Sequence, residues 1–64
     1  MYAIYLQCPN GRFHPLDLTR GETVNRLLFA SLFKDRATAN AALQHIYSYS
    51  ENSDLVMEVR KVGR

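Results

Sequence analysis

Cysteine and histidine are the residue types in this chain that could support nucleophilic catalysis. Cys8 could serve as a nucleophile with His14 or His45 as its base, because a thiol reacts as the thiolate that a nearby imidazolium stabilises. Cys8 lies in a segment that ends at a turn, and no catalytic signature surrounds it. We therefore predict that Cys8 is a structural thiol and that the protein is not an enzyme.

The same side chains lack the spacing of a metal site. Zinc sites normally take paired ligands from each of two segments, whereas Cys8, His14, Asp17 and His45 are scattered along the chain. The glycines are isolated and form neither a dinucleotide-binding pattern nor a phosphate-binding loop. We expect no metal and no cofactor.

Length and composition indicate one small domain that spans residues 1–64. Of these 64 residues, 47% are hydrophobic and 22% charged, as in ordinary folded domains. A domain of this size buries only about 60% of the surface of its unfolded chain. The lone Cys8 cannot form an internal disulfide, which favours a reducing cytoplasm. No apolar run approaches the roughly 18 residues of a membrane span. Because neither a disulfide nor a metal is expected, a partner chain is the expected means of hiding further apolar surface.

Three strands and one helix are predicted from the hydrophobic pattern. Residues 2–7 are apolar on both faces of a strand and precede a Pro-Asn-Gly turn, which indicates a central first strand. The apolar run at residues 26–33 predicts a second strand, and the alternation at residues 55–62 predicts a third. Asp35 is the expected N-cap of a helix between them, because its carboxylate can accept from the first exposed amides.

This order of elements predicts an α+β fold with its helix on one face of the sheet. The helix must run back along the second strand, so the third strand is antiparallel to the first. The simplest result is a three-stranded, mainly antiparallel sheet in the order 2-1-3. Residues 12–25 leave room for an additional short hairpin.

A single helix covers one face of such a sheet and leaves the other face without cover. Apolar side chains on that face would form a patch of the kind that usually binds a partner. The expected interface residues are Tyr5, Leu28, Ala30, Leu32 and Val56. The sequence therefore predicts a small non-enzymatic protein–protein interaction module, either a homodimer or the binder of another protein.

Basic residues provide an alternative function, the binding of an anion or a nucleic acid. The formal net charge is only +2, but the predicted topology brings several cations to the end of the sheet where the helix begins. These residues are Lys34, Arg36, Arg60, Lys61 and Arg64. Arginine can bind phosphate with two parallel hydrogen bonds. Residues 38–50 of the helix contain no lysine or arginine, which argues against reading of the DNA major groove.

Overall fold

The computed structural model describes residues 1–63 and contains one sheet and one α-helix. The sheet is antiparallel, with its strands in the order β3-β2-β1-β4. The strands are β1 (Tyr2–Gln7), β2 (Phe13–Asp17), β3 (Glu22–Thr23) and β4 (Met57–Lys61). The helix is α1 (Arg36–Tyr47), and short 3-10 turns occur at Leu27–Phe29 and Ser50–Asn52.

β1 is an interior strand, as its two apolar faces predict. Its residue Tyr5 pairs with Pro15 of β2 and with Glu58 of β4. Successive residues of a strand point to opposite faces, and the consecutive residues Ala3 and Ile4 are both fully buried. Both faces of the sheet are therefore covered along this part of β1.

α1 contacts β1 and β4. Ile46 of α1 lines a groove with Leu6, so α1 packs on the face of the sheet that carries Leu6 and Ile4. The Asp35 carboxylate accepts a hydrogen bond of 2.8 Å from the Thr38 N–H, which confirms the predicted N-cap. Ala39 is completely buried, and its small side chain allows the helix to approach the sheet closely. At the other end, the Tyr47 hydroxyl donates to the Leu55 carbonyl at 2.7 Å and connects the helix to the segment before β4.

The prediction of a three-stranded sheet in the order 2-1-3 was wrong. Residues 26–33 do not form a strand, since they contain a 3-10 turn and pair with β1 only where Phe33 and Tyr2 exchange two backbone bonds of 2.8 Å. The position beside β1 is occupied instead by β2. A continuous apolar run has no periodicity that separates a strand from other buried structure. The sequence pattern of residues 26–33 therefore did not distinguish a strand from a crossing segment.

The additional hairpin in residues 12–25 is present as β2 and β3. The bond from the Cys8 N–H to the Arg12 carbonyl means that even-numbered residues of β2 direct their main-chain groups towards β1. Pro15 therefore directs its nitrogen away from β1, where the missing N–H does not interrupt the pairing. The turn between the strands closes where the Gly21 N–H donates to the Asp17 carbonyl at 2.8 Å. Gly21 has φ +67°, a conformation that glycine adopts without steric cost.

Residues 31–33 lie between the diverging ends of β1 and β2. Ser31 holds β2 through two bonds: its N–H donates to the Leu16 carbonyl at 3.1 Å, and its hydroxyl accepts from the Leu18 N–H at 2.8 Å. Phe33 holds Tyr2 of β1. The chain must therefore pass β2 between β3 and Ser31. Leu27 and Leu28 line a groove with Val62, which by alternation along β4 lies on the face opposite α1. We call that side of the sheet the far face.

Candidate functional site

The side chains that could carry catalytic chemistry lie on different parts of the fold. Cys8 is half-buried, and its Sγ lies 3.9 Å from the Leu6 carbonyl oxygen. His14 is in β2 opposite Leu6, whereas His45 is on α1 and packs edge-on against Tyr49 with ring centroids 5.5 Å apart. Within residues 1–63, no three side chains of the histidine, cysteine, aspartate and glutamate types come together as metal ligands.

Exposed aliphatic side chains form a shallow groove of about 320 Å³ on the far face. We call this surface the leucine patch, and it consists of Met1, Leu27, Leu28, Leu32 and Val62. The Val62 N–H donates to the Met1 carbonyl at 2.9 Å, which holds the two ends of the described chain together beneath the leucines. Leu28 is 80% exposed, Met1 50% and Leu32 45%. The segment that crosses the far face thus covers part of the sheet but presents its own leucines to solvent.

The five predicted interface residues are distributed over three places. Leu28 and Leu32 belong to the leucine patch, and the neighbouring Ala30 is half-buried. Tyr5 lies in the middle of the far face, and Val56, which is 52% exposed, lies just before β4 at the opposite end from the patch. They do not form one strip, because that expectation required residues 26–33 to be a strand.

Arg60 covers the middle of the far face. Its guanidinium carbon lies 4.5 Å from the centre of the Tyr5 ring and 5.0 Å from the centre of the Phe13 ring. Its Nε donates to the Glu58 carboxylate at 2.8 Å. A guanidinium at these distances is attracted by the faces of both rings. The sequence reasoning missed this cluster, since Phe13 joins it only through the pairing of β2 with β1.

The basic end forms only in part. Tyr2 pairs with Lys61 and with Phe33, and Arg36 lies over the Tyr2 ring with its guanidinium carbon 5.1 Å from the centre. Lys34, Arg36 and Lys61 therefore lie at the same end of the sheet. Within residues 1–63 the ion pairs involve other cations, namely Arg20 and Arg60.

Two further cations were predicted for the basic end. Arg60 is directed along the far face towards Glu58. Arg64 lies outside the described residues. Alternate residues of a strand point to opposite faces, which separates Arg60 from Lys61.

The chain was also compared with known proteins. Comparisons with protein-family models, with curated proteins and with solved structures find no match. In the part of the chain that the structure describes, no helix is long and apolar enough to cross a membrane. The surfaces of the molecule itself are therefore the basis for a functional proposal.

Proposed function

We propose that this protein is a non-enzymatic protein–protein interaction module that works as a homodimer through its far face. The leucine patch is the observation that carries this proposal. It gathers five aliphatic side chains around one groove, and Leu28, at 80% exposure, is almost entirely in solvent. Exposed apolar surfaces of this kind mark binding sites in soluble proteins.

The small core gives a physical reason for association. The buried apolar residues of the described chain are Ala3, Ile4, Leu16 and Ala39, and only Ile4 among them is a large side chain with less than 2% exposure. Complete burial of one leucine side chain contributes about 1.5–3 kcal/mol. Hiding the leucine patch would therefore add appreciably to a domain that holds few large side chains in its interior.

A second copy of the chain is the occupant that we propose. Among residues 1–63, no acidic or basic side chain lines the groove, so its lining is suited to contact with other apolar side chains. Association with an identical chain also requires no second kind of protein. A homodimer with two-fold symmetry is the commonest assembly of soluble proteins.

A glutamate at position 28 tests this proposal. Leu28→Glu places a carboxylate in the patch, and we expect it to raise the dimer dissociation constant at least about tenfold, the cost of desolvating an unpaired charge. Phe29→Glu is the matched control, because Phe29 is also exposed but does not line the groove. Sedimentation velocity gives the dissociation constants, and circular dichroism checks that α1 is retained. Equal dissociation constants for Leu28→Glu and the unmodified protein would contradict a role for the patch.

The basic end supports a second candidate function, the binding of phosphate groups in a nucleic acid. Lys34, Arg36 and Lys61 lie together, and the N-terminus of α1 adds its partial positive charge. At low salt, Lys61→Glu should weaken binding to single-stranded or duplex DNA more than Arg12→Glu, which makes the same charge change at the other end of β1. Absence of binding at low salt, or equal losses in the two variants, would exclude this function.

A further inference from the structure

The outer edge of β4 is open to another strand beyond Met57, whose N–H is bound by the Tyr47 hydroxyl. β4 is the last strand of the sheet, and within residues 1–63 only β1 pairs with it. The Gln7 N–H donates to the Val56 carbonyl and the Val62 N–H to the Met1 carbonyl, both at 2.9 Å. Because such bonds alternate along an antiparallel pair, the even-numbered residues of β4 direct their main-chain groups towards β1. Met57, Val59 and Lys61 direct theirs outwards.

The side chains along this edge are arranged almost symmetrically about Val59. Residues 56, 58, 60 and 62 share the far face and read valine, glutamate, arginine, valine. In an antiparallel pair of identical strands centred on Val59, each Glu58 lies opposite Arg60 of the second copy. Each Val56 then lies opposite Val62. Opposite charges in such cross-strand positions are stabilising, and like charges are destabilising.

Neighbouring registers lack this complementarity. A pair centred on residue 58 places the two Glu58 carboxylates opposite each other, and a pair centred on residue 60 does the same with the two Arg60 guanidinium groups. Of these three registers, only centring on Val59 satisfies the charges. The order of side chains along β4 therefore favours one register for pairing with an identical strand.

The backbone is compatible with the same register. Val59 directs its main-chain groups outwards, so the two Val59 residues at the symmetry axis can exchange both of their hydrogen bonds. The Tyr47 hydroxyl already binds the outward-directed Met57 N–H at 3.2 Å and the Leu55 carbonyl at 2.7 Å, so pairing with the second copy is confined to the residues around Val59.

We propose that two copies of this chain join along β4 in an antiparallel pair centred on Val59, which extends the sheet across a two-fold axis. This inference rests on the proposed homodimer and gives it a geometry in which the far faces of the two copies lie side by side on one extended sheet. Charged residues on an edge strand usually prevent pairing with other chains, whereas here their order favours an identical chain in one register. Val56 of the second copy lies beside Val62, at the border of the leucine patch.

Charge reversal distinguishes contacts between chains from contacts within one chain. Glu58→Arg leaves two arginines opposite each other twice per dimer, and Arg60→Glu leaves two glutamates. Each variant alone should therefore dimerise about tenfold more weakly than the unmodified protein. In an equimolar mixture, both arginines of one variant lie opposite the two glutamates of the other, so a heterodimer should form with near-normal affinity. In the mixture each chain still carries like charges at positions 58 and 60, so the internal Glu58–Arg60 pair stays lost. The recovery therefore comes from contacts between the two chains.

A disulfide measurement tests the register without relying on charge. In a Cys8→Ser background, a mixture of Glu58→Cys and Arg60→Cys should form a mixed disulfide, since Cα atoms of this non-hydrogen-bonded pair lie about 4.5 Å apart. Either variant alone is the control. Two residues at position 58 lie two positions apart along the strands, beyond the roughly 7 Å that a disulfide spans.

The outcomes separate this inference from the proposed function. Recovery in the charge-reversed mixture together with the mixed disulfide would support pairing along β4. A dimer of the unmodified protein that shows neither result would overturn the β4 geometry and leave the homodimer standing. A monomer at all concentrations would overturn both. Recovery in the mixture with no effect of Leu28→Glu would support the β4 pair and exclude the patch from the interface.

Discussion

At the scale of single residues, Asp35 has a defined electrostatic role. Its carboxylate accepts the backbone N–H of Thr38, and this hydrogen bond lowers the pKa of Asp35 from its ordinary value of 3.8, with a further lowering from the Thr38 side chain and a small opposing effect of desolvation. A lowered pKa in the folded state means that the ionised form stabilises folding. That contribution is complete above the pKa of the unfolded chain and is lost as the pH falls through the lower folded value.

Substitution of Asp35 tests this role. In the unmodified protein the start of α1 should lose stability as the pH falls below about 3.8. Asp35→Asn keeps an acceptor oxygen without the charge, so its contribution should not change with pH in this range, whereas Asp35→Ala should be less stable at neutral pH. Thermal unfolding followed by circular dichroism from neutral pH to about pH 2 measures the three proteins. Parallel pH profiles for Asp35→Asn and the unmodified protein would show that Asp35 does not supply the pH dependence.

At the scale of elements, residues 31–33 join the two diverging strands. Ser31 bonds to β2 with both its backbone and its hydroxyl, and Phe33 bonds to β1. The leucines of residues 27–32 are held over the far face by these connections. The position of the leucine patch therefore depends on a few polar contacts at the end of the crossing segment.

The Ser31 hydroxyl provides a test of this connection. Ser31→Ala removes the acceptor of the Leu18 N–H and should lower the free energy of unfolding by about 1 kcal/mol. Ser53→Ala is a suitable control, because the side chain of the exposed Ser53 makes no hydrogen bond to the described residues. Urea unfolding at a fixed protein concentration measures both variants. A loss in Ser53→Ala as large as in Ser31→Ala would show that the hydroxyl bond has no specific role.

The elements with a clear local signal could be predicted from the sequence. β1 has the predicted bounds of residues 2–7, because two apolar faces and a following turn define an interior strand. Asp35 caps α1 as expected, since capping depends on adjacent residues alone. Residues 26–33 could not be assigned in this way, because their conformation depends on β2 occupying the edge of β1.

The surfaces were harder to predict than the elements. Leu28 and Leu32 are exposed, but they lie in the crossing segment and not in the strand on which the sequence prediction placed them. Met1 joins them only through its bond to Val62, which requires the register of β1 with β4. The symmetry about Val59 is present in the sequence, but it has meaning only once the outward-directed residues of β4 are known.

At the scale of the whole molecule, the chain covers its far face only in part. Residues 24–30 cross this face and Arg60 covers its centre, so Ala3 is buried there without a partner. As a result, the leucines of the leucine patch stay exposed near the outer edge of β4. We expect a second copy to satisfy both features, the edge by pairing with β4 and the border of the patch by contact with Val56.

Sedimentation equilibrium of the unmodified protein over a concentration series tests self-association most directly. The homodimer predicts a weight-average mass that rises with concentration from that of one chain and levels off at that of two. A mass that stays at one chain up to the limit of solubility would contradict it. A mass that continues to rise beyond two chains would contradict the closed two-fold pair along β4.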